Sequence, residues 1–397
     1  VSGALGLAAA AAVAYLLASG APAAEWGYAA AAGAVLVSSL QAAPVVSAIT
    51  RFTRGFWGVP LRRAADLLAL AGVVSTPLLL ILLYQLPDWQ GRPSIWFDAA
   101  GAPQAPDAAA IVLLALAGLA ILAAGAWPER RGWAGTPRQW SAAMLALAVL
   151  GALYLALLLY VDMVVVSDLA VSLVPGWHSS DMPAYQVFTG FEAALAAVTV
   201  AVACLRRFGG LQAYIRDDVF KALGKLLLAF GLLFIWFFWA EFLTYWYGRL
   251  PDEKDLMRLF MFGSYLIPFG LSMLCNFLLP VALLIWNSVR ASVAGVMAVA
   301  VLVLIGNVAD RVRIYVASWA LAGPVAAHFG PELPPGRIPD LADALILVGA
   351  PAAVACLFLL ALRLMAPVAM WEHRRDVLLR LEQPFLKTVM PVVAKPD

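Results

Sequence analysis

Charge is scarce in this chain: Asp, Glu, Lys and Arg make up 13% of its 397 residues. Soluble domains carry about a quarter. That shortage excludes a disordered chain and an ordinary soluble enzyme. Cysteine is scarce too. Cys204, Cys275 and Cys356 lie far apart with no CxxC pair, so they imply neither an iron–sulfur ligand set nor a disulfide framework. The histidines are His178, His328 and His373, and none sits in the middle of an apolar run. A membrane cytochrome b needs axial ligands inside its helices. The sequence therefore predicts no haem and no metal site. A net charge of +2, with the basic residues placed in loops, gives no nucleic-acid footprint.

What is abundant is apolar surface. Hydrophobic residues are 64% of the chain, and mean hydropathy is +0.89. Apolar runs of about twenty residues recur along the whole length, which favours helices over the short alternating strands of a barrel. The expected fold is an all-α integral membrane protein of ten spans. They run roughly over 1–19, 26–49, 66–87, 108–127, 141–166, 184–205, 226–247, 259–286, 291–319 and 341–365, followed by a tail over 366–397. The first run also fits a signal's apolar core, but it is counted as a helix. Turn signals such as Gly20-Ala21-Pro22, Gly91-Arg92-Pro93 and Gly135-Thr136-Pro137 separate the spans.

The basic residues set the orientation. Nineteen of the 26 fall on the side that holds both termini, five on the other, and Arg311 and Arg313 lie inside the ninth span. The positive-inside rule then places both termini in the cytoplasm. A short repeat hints at internal duplication. Gln85-Leu86-Pro87-Asp88 ends the third span, and Arg249-Leu250-Pro251-Asp252 ends the seventh. Four helices separate the two, so the repeat is parallel. It implies one four-helix bundle over about 26–166, another over about 184–319, and peripheral helices at 1–19 and 341–365.

Ionisable groups inside a membrane are costly, so each is a functional candidate. Asp162 lies near the outer end of the fifth span, and Asp168 is at its mouth. Glu192 is in the sixth span, Glu241 in the seventh, and Asp310, Arg311 and Arg313 in the ninth. Asn276 and Asn307 are buried by position. Two readings stand for Asp310 and Arg311: a structural pairing across a helix interface, or part of a proton route. Arg313 is expected to snorkel outward. Glu241 lies in an aromatic stretch, Phe234 to Tyr247, with no cation near it in sequence. Desolvation favours the neutral carboxyl, the form a proton carrier needs to regain. The stretch itself reads as packing and interfacial belt ahead of a quinone pocket. The loop from Ser167 to Pro183 brings Asp168, Trp177, His178 and hydroxyls to one membrane edge. His titrates near neutral and can relay a proton. Trp177 reads as a headgroup anchor. The run Asp252-Glu253-Lys254-Asp255 reads as a solvated loop.

Three stretches together carry a family resemblance. They are Ser167-Asp168 with Pro175-Gly176-Trp177-His178-Ser179-Ser180, then Glu241 through Glu253, then Cys275-Asn276-Phe277-Leu278-Leu279-Pro280 with Gly306-Asn307-Val308-Ala309-Asp310-Arg311. The chain resembles the NrfD-like (polysulfide reductase type) membrane subunits, most closely those of bacterial alternative complex III, over roughly 26–320. The resemblance implies a subunit of a quinol-oxidising respiratory complex in the bacterial inner membrane. It implies as partners a homologous NrfD-like membrane subunit, an iron–sulfur protein and cytochrome c subunits. Asp168 and Arg311 match positions of the quinol-binding type, and the site would then take menaquinol or ubiquinol with His178 alongside. That type also has a His in the turn after the third span. Here the turn reads Asp88-Trp89-Gln90-Gly91-Arg92-Pro93. This departure points to the companion subunit, thought to conduct protons.

Four functions are thus weighed. The first is a companion subunit whose proton pathway runs through Asp162, Asp168, His178, Glu192, Glu241, Asp310 and Arg311. The second is the quinol-oxidising subunit itself, with Asp168, His178 and Arg311 at its site. The third is a secondary transporter, although no Gly/Pro-broken helices occupy matching halves. The fourth is a bare anchor, which leaves Glu192 and Glu241 unexplained. The topology carries its own test. A single cysteine placed at position 330 is expected to react with an impermeant label from outside the cell; labelling only from the cytoplasm would overturn the orientation.

Overall fold

The computed structural model describes every residue except 54, 88–103, 131–135, 175, 178, 323–334, 374–379, 386–387 and 394–397. Among the described residues, ten helices are long and apolar enough to cross a membrane. They are Ser2–Ser19, Ala23–Phe52, Val59–Gln85, Ala105–Arg130, Arg138–Leu173, Met182–Phe208, Asp217–Gly248, Leu266–Leu284, Val293–Ala320 and Leu341–Leu364. The chain is an all-α, multi-pass membrane protein. One element departs from that class. An antiparallel ribbon, β1 (Arg380–Phe385) and β2 (Thr388–Val393), forms in the tail, with Arg380 opposite Val393.

Most spans are longer than their apolar cores, because polar ends complete the helices. The seventh starts at Asp217 rather than near 226; Asp217 and Asp218 occupy its first turn, where acids complement the helix dipole. The fifth starts after a capping box in which Thr136 and Gln139 exchange side-chain bonds to backbone N–H groups, 3.4 and 2.9 Å. The eighth is shorter than expected. The helix from Pro251 passes into a wider π turn, Arg258–Phe262, and breaks at Gly263 before Leu266 resumes. Three further π segments lie inside spans two, eight and nine: Leu36–Gln41, Met273–Leu278 and Val312–Val316.

The spans associate as two quartets. Span two packs on three and five, and four packs on three and five. Span six packs on seven and nine, and eight packs on seven and nine. The quartets meet where six lies against two and five, and where nine lies against two. Span one lies along ten, and ten also touches two and three. Small residues permit this closeness, as is usual between helices in lipid. A Cβ on Gly190 would stand 2.9 Å from the Ser38 backbone oxygen, and one on Gly349 would collide with the Leu5 carbonyl.

The basic pole corrects the sequence reading. Arg51, Arg62 and Arg63, expected in a loop, lie in helices and are buried, because the connection between spans two and three is only residues 53–58 long. Arg51 pairs with Asp66 at 2.8 Å and with Glu372 at 3.1 Å. Arg62 pairs with Glu372 at 2.7 Å and reaches the Thr50 carbonyl at 2.8 Å. Ser47 donates to Asp66 as well. Arg63 pairs with Glu129 at 3.0 Å. Glu372 follows the tenth span, so the start of the tail is fastened to spans two and three. Burial alone would raise the Glu372 carboxyl, but Arg51 and Arg62 hold it below the usual carboxylate range. Its contribution to stability is therefore present above the ordinary Glu range and is lost as pH falls through the lowered value. Glu372→Ala would leave two buried guanidinium groups short of a partner. It is expected to cost about 3–5 kcal/mol, read as a lower thermal midpoint in detergent, with Glu372→Gln losing less. A midpoint within error of wild type for Glu372→Ala would contradict the clamp.

Candidate functional site

The second quartet holds a charged cluster at its heart. Asp310 is fully buried on the ninth span. Arg311 donates to its Oδ2 at 3.1 Å, and Arg313 donates through Nε to Oδ1 at 2.9 Å. Two hydroxyls complete the shell: Tyr185 of the sixth span at 2.8 Å and Ser272 of the eighth at 3.1 Å. Arg313 also donates to the Tyr185 hydroxyl at 3.1 Å. Asp310 thus ties three spans together. Arg313 does not snorkel outward; its i,i+3 spacing from Asp310 turns it inward, and it is 5% exposed.

Arg311 reaches the other way. It donates to Thr189 Oγ1 at 2.8 Å and to the Gln186 carbonyl at 3.2 Å, both on the sixth span. Gln186 Nε2 lies 3.5 Å from Asp162 Oδ1, and Asp162 is close enough to Arg311 to feel its charge. Asn307 donates to the Thr189 carbonyl at 3.4 Å and accepts from Ser39 at 3.0 Å, which joins the cluster to the first quartet. Asn276 donates to Ser272 at 3.3 Å. Glu192 is 1% exposed and lies within the field of Asp310. Its Oε1 is buried with no hydrogen-bond partner among the described residues.

A second group lies toward the pole opposite the basic one. Glu241 sits seven residues before the end of the seventh span, shallower than its sequence surroundings imply. Its Oε1 accepts from the Tyr245 hydroxyl at 2.6 Å, and Trp177 Nε1 donates to that hydroxyl at 3.0 Å. Trp177 is not a headgroup anchor: it is 3% exposed and packs on Phe260, ring centroids 4.8 Å apart. A cavity of about 30 Å³ is shared by this group and the cluster: Glu241, Tyr245 and Trp177 line it, and so do Tyr185 and Arg313. That is room for about one water. The rest of the aromatic stretch is divided: Phe234 is buried against Tyr185 and Phe237 stacks on Phe188, while the tryptophans face outward. Trp236, Trp239 and Trp246 are each more than half exposed, with Trp239 and Trp246 stacked on Phe242.

The structure therefore gathers Glu192, Asp310, Arg311 and Asp162 at one centre and sets Glu241 on the small cavity beside it. It places Asp168 elsewhere. Asp168 is 6% exposed and near Tyr160, whose hydroxyl donates to Asp107 at 3.0 Å. His178 lies outside the described residues, as does the turn from Asp88 to Pro93. Among the described residues no three His, Cys, Asp or Glu side chains converge as metal ligands. The run from Asp252 forms a helical turn, Pro251–Met257, rather than a loop.

Sequence reading missed Tyr185, Thr189, Ser272 and Tyr245, since hydroxyls in apolar helices carry no charge signal. It also missed Asp181, which precedes the sixth span. Burial, and then the charge of Glu241, push the Asp181 carboxyl up to about 6. The folded chain thus holds a proton that an ordinary Asp, near ~4, has already lost. Because the folded value is raised, ionising Asp181 opposes folding, and the cost grows as pH rises from the ordinary range to about 6. A carboxyl infrared band absent from Asp181→Asn is expected to fade with a midpoint near 6 in the wild type. A midpoint in the ordinary Asp range would sever the link between Asp181 and Glu241.

No protein-family model matches this chain, and no curated protein matches it, so the reading of the site rests on its geometry.

Proposed function

We propose that this chain is a proton-conducting membrane subunit of a quinol-oxidising respiratory complex, of the companion type found in NrfD-like assemblies. In this reading it sits in a bacterial inner membrane with both termini in the cytoplasm. It anchors a homologous membrane subunit, an iron–sulfur protein and cytochrome c subunits, and it holds no redox cofactor of its own.

One observation supports the reading most. Glu241 lines a small cavity together with Tyr185 and Arg313, and both of these are bonded to Asp310. Proton transfer needs hydrogen-bond reach or one bridging water, and the cavity has room for about one. The route then runs from Asp181 to Glu241 and across the cavity to Tyr185 and Asp310, with Glu192 and Asp162 as the buried acids next to that centre and Arg311 as a fixed charge beside them. Tyr185 both donates and accepts, as a relay member must. The same volume weighs against the quinol-oxidising alternative at this place, because a quinol ring is several times larger than a water. Arg311 already directs its donors to Asp310, Thr189 and Gln186.

The experiment is a comparison of reconstituted complexes. Glu241→Gln keeps the shape and the bond to Tyr245 but carries no exchangeable carboxyl proton. Protons released per quinol oxidised are expected to fall, with transfer through the site slowed on the order of 100-fold. The variant is expected to assemble normally with its partner subunits. Unchanged quinol oxidation with unchanged proton release would leave Glu241 as a packing residue. A chain that purifies without cytochrome c and iron–sulfur subunits, and moves a solute alone, would overturn the whole reading.

A further inference from the structure

A different site lies at the basic pole, away from the proton route. A crevice of about 640 Å³ opens between the ends of spans four, five and ten and the start of the tail. Its lining combines two chemistries. Ala126, Leu364, Met365 and Trp371 offer apolar surface, and Arg130 and Trp140 bring polar donors.

Three observations define what this crevice accepts. First, Trp140 Nε1 is buried and has no acceptor among the described residues. A buried donor left unpaired is costly, so the site calls for an oxygen that the protein does not supply. Second, Arg130 is exposed and makes no ion pair among the described residues. Its guanidinium is therefore available for a charge-assisted bond. Third, the one acid among the described lining residues is already committed. Glu129 pairs with Arg63 at 3.0 Å and accepts the Met370 backbone N–H at 3.0 Å. The indole of Trp371 is likewise satisfied by the Gly125 carbonyl at 3.2 Å. Among the described lining residues, what remains free is one cation and one neutral donor beside apolar side chains.

We infer that this crevice is a specific binding site for an anionic membrane phospholipid, with the headgroup phosphate between Arg130 and Trp140 and an acyl chain along Leu364, Met365 and Trp371. The location suits this ligand. The crevice lies at the ends of membrane spans, on the basic side, where pockets between helices hold lipid headgroups. The bound lipid would brace the joint between spans four and ten, beside the clamp that Glu372 makes with Arg51 and Arg62. The inference does not rest on the respiratory reading.

The test uses the full chain, purified in a neutral detergent and stripped of lipid. Phosphatidylglycerol, phosphatidylcholine and inorganic phosphate are added separately. Native mass spectrometry counts bound lipid, and thermal unfolding reads its effect. Phosphatidylglycerol is expected to bind at one tight site and raise the thermal midpoint. Phosphatidylcholine and phosphate are expected to do neither. Arg130→Gln, at an exposed position, is expected to fold normally and to weaken phosphatidylglycerol binding about tenfold, the effect of losing one charge-assisted bond. Trp140→Phe keeps the aromatic packing and is expected to weaken binding by a smaller factor. Equal binding of phosphatidylcholine would mean that only apolar contact matters, and would overturn the site. So would stabilisation by phosphate alone, which would make it a free-anion site. Phosphatidylglycerol binding unchanged in both variants would place any lipid elsewhere and refute the assignment.

Discussion

Two guanidinium groups share one carboxylate in the interior of this protein, and much else is arranged around that imbalance. Asp310 carries one negative charge, and Arg311 and Arg313 carry two positive ones. A net positive charge at membrane depth is expensive unless it is offset nearby. Hydroxyls from Tyr185 and Ser272 and the carbonyl of Gln186 solvate the cluster without changing its charge. Asp162 and Glu192 are the two buried acids close enough to change it. When one of them is ionised, the centre is neutral overall. When both are protonated, the positive charge is uncompensated. When both are ionised, the centre is negative. The net charge of the centre therefore depends on these two acids.

The two poles are built on different principles. At the basic pole the buried charges of the clamp are paired. Arg51 and Arg62 pair with Asp66 and Glu372, and Glu372 brings the tail into the bundle. Breaking such a set leaves a bare buried charge, so it resists movement. At the opposite pole the acids are open. The charge of Glu241 raises the cost of ionising Asp181, and no cation is bonded to either acid among the described residues. A paired network holds structure, whereas an unpaired acid near a water-sized cavity can take up and give back a proton. The direction of the proposed route follows from this contrast.

The sequence made the spans legible because lipid imposes one requirement, a long apolar helix, that composition alone reveals. It also exposed Glu192, Asp310 and Arg311, since charge is rare enough in this chain to stand out. Other features were hidden for physical reasons. Arg51, Arg62 and Arg63 flank apolar cores, and hydropathy cannot separate a loop from a helix end that is buried by ion pairs. Glu372 lies more than 300 residues from both of its arginine partners, a pairing that no local pattern encodes. Trp177 was misplaced because tryptophan is common at interfaces, and only the fold brings Phe260 and Tyr245 over it. The outward reading of Arg313 failed on a local signal that was available, its position three residues after Asp310.

The backbone itself marks the same region. Four π segments occur among the described residues, and each touches the cluster or its cavity. Leu36–Gln41 contains Ser39, which bonds to Asn307. Met273–Leu278 contains Asn276, which bonds to Ser272. Val312–Val316 contains Arg313. Arg258–Phe262 supplies Phe260 and Met261 to the cavity wall. A π turn adds one residue to the helical circuit and shifts the register of every side chain beyond it. In the ninth span such a turn follows directly on Asp310 and Arg311. The helix can then turn its charged face toward the sixth span and still return Tyr315 and Trp319 to full burial on its continuation. Regular α-helix is the cheapest backbone in lipid, where every polar group needs an internal partner. Three of the four departures from it carry polar side chains of the Asp310 network and the fourth lines the adjoining cavity, so the irregular backbone and the buried charge occupy one region.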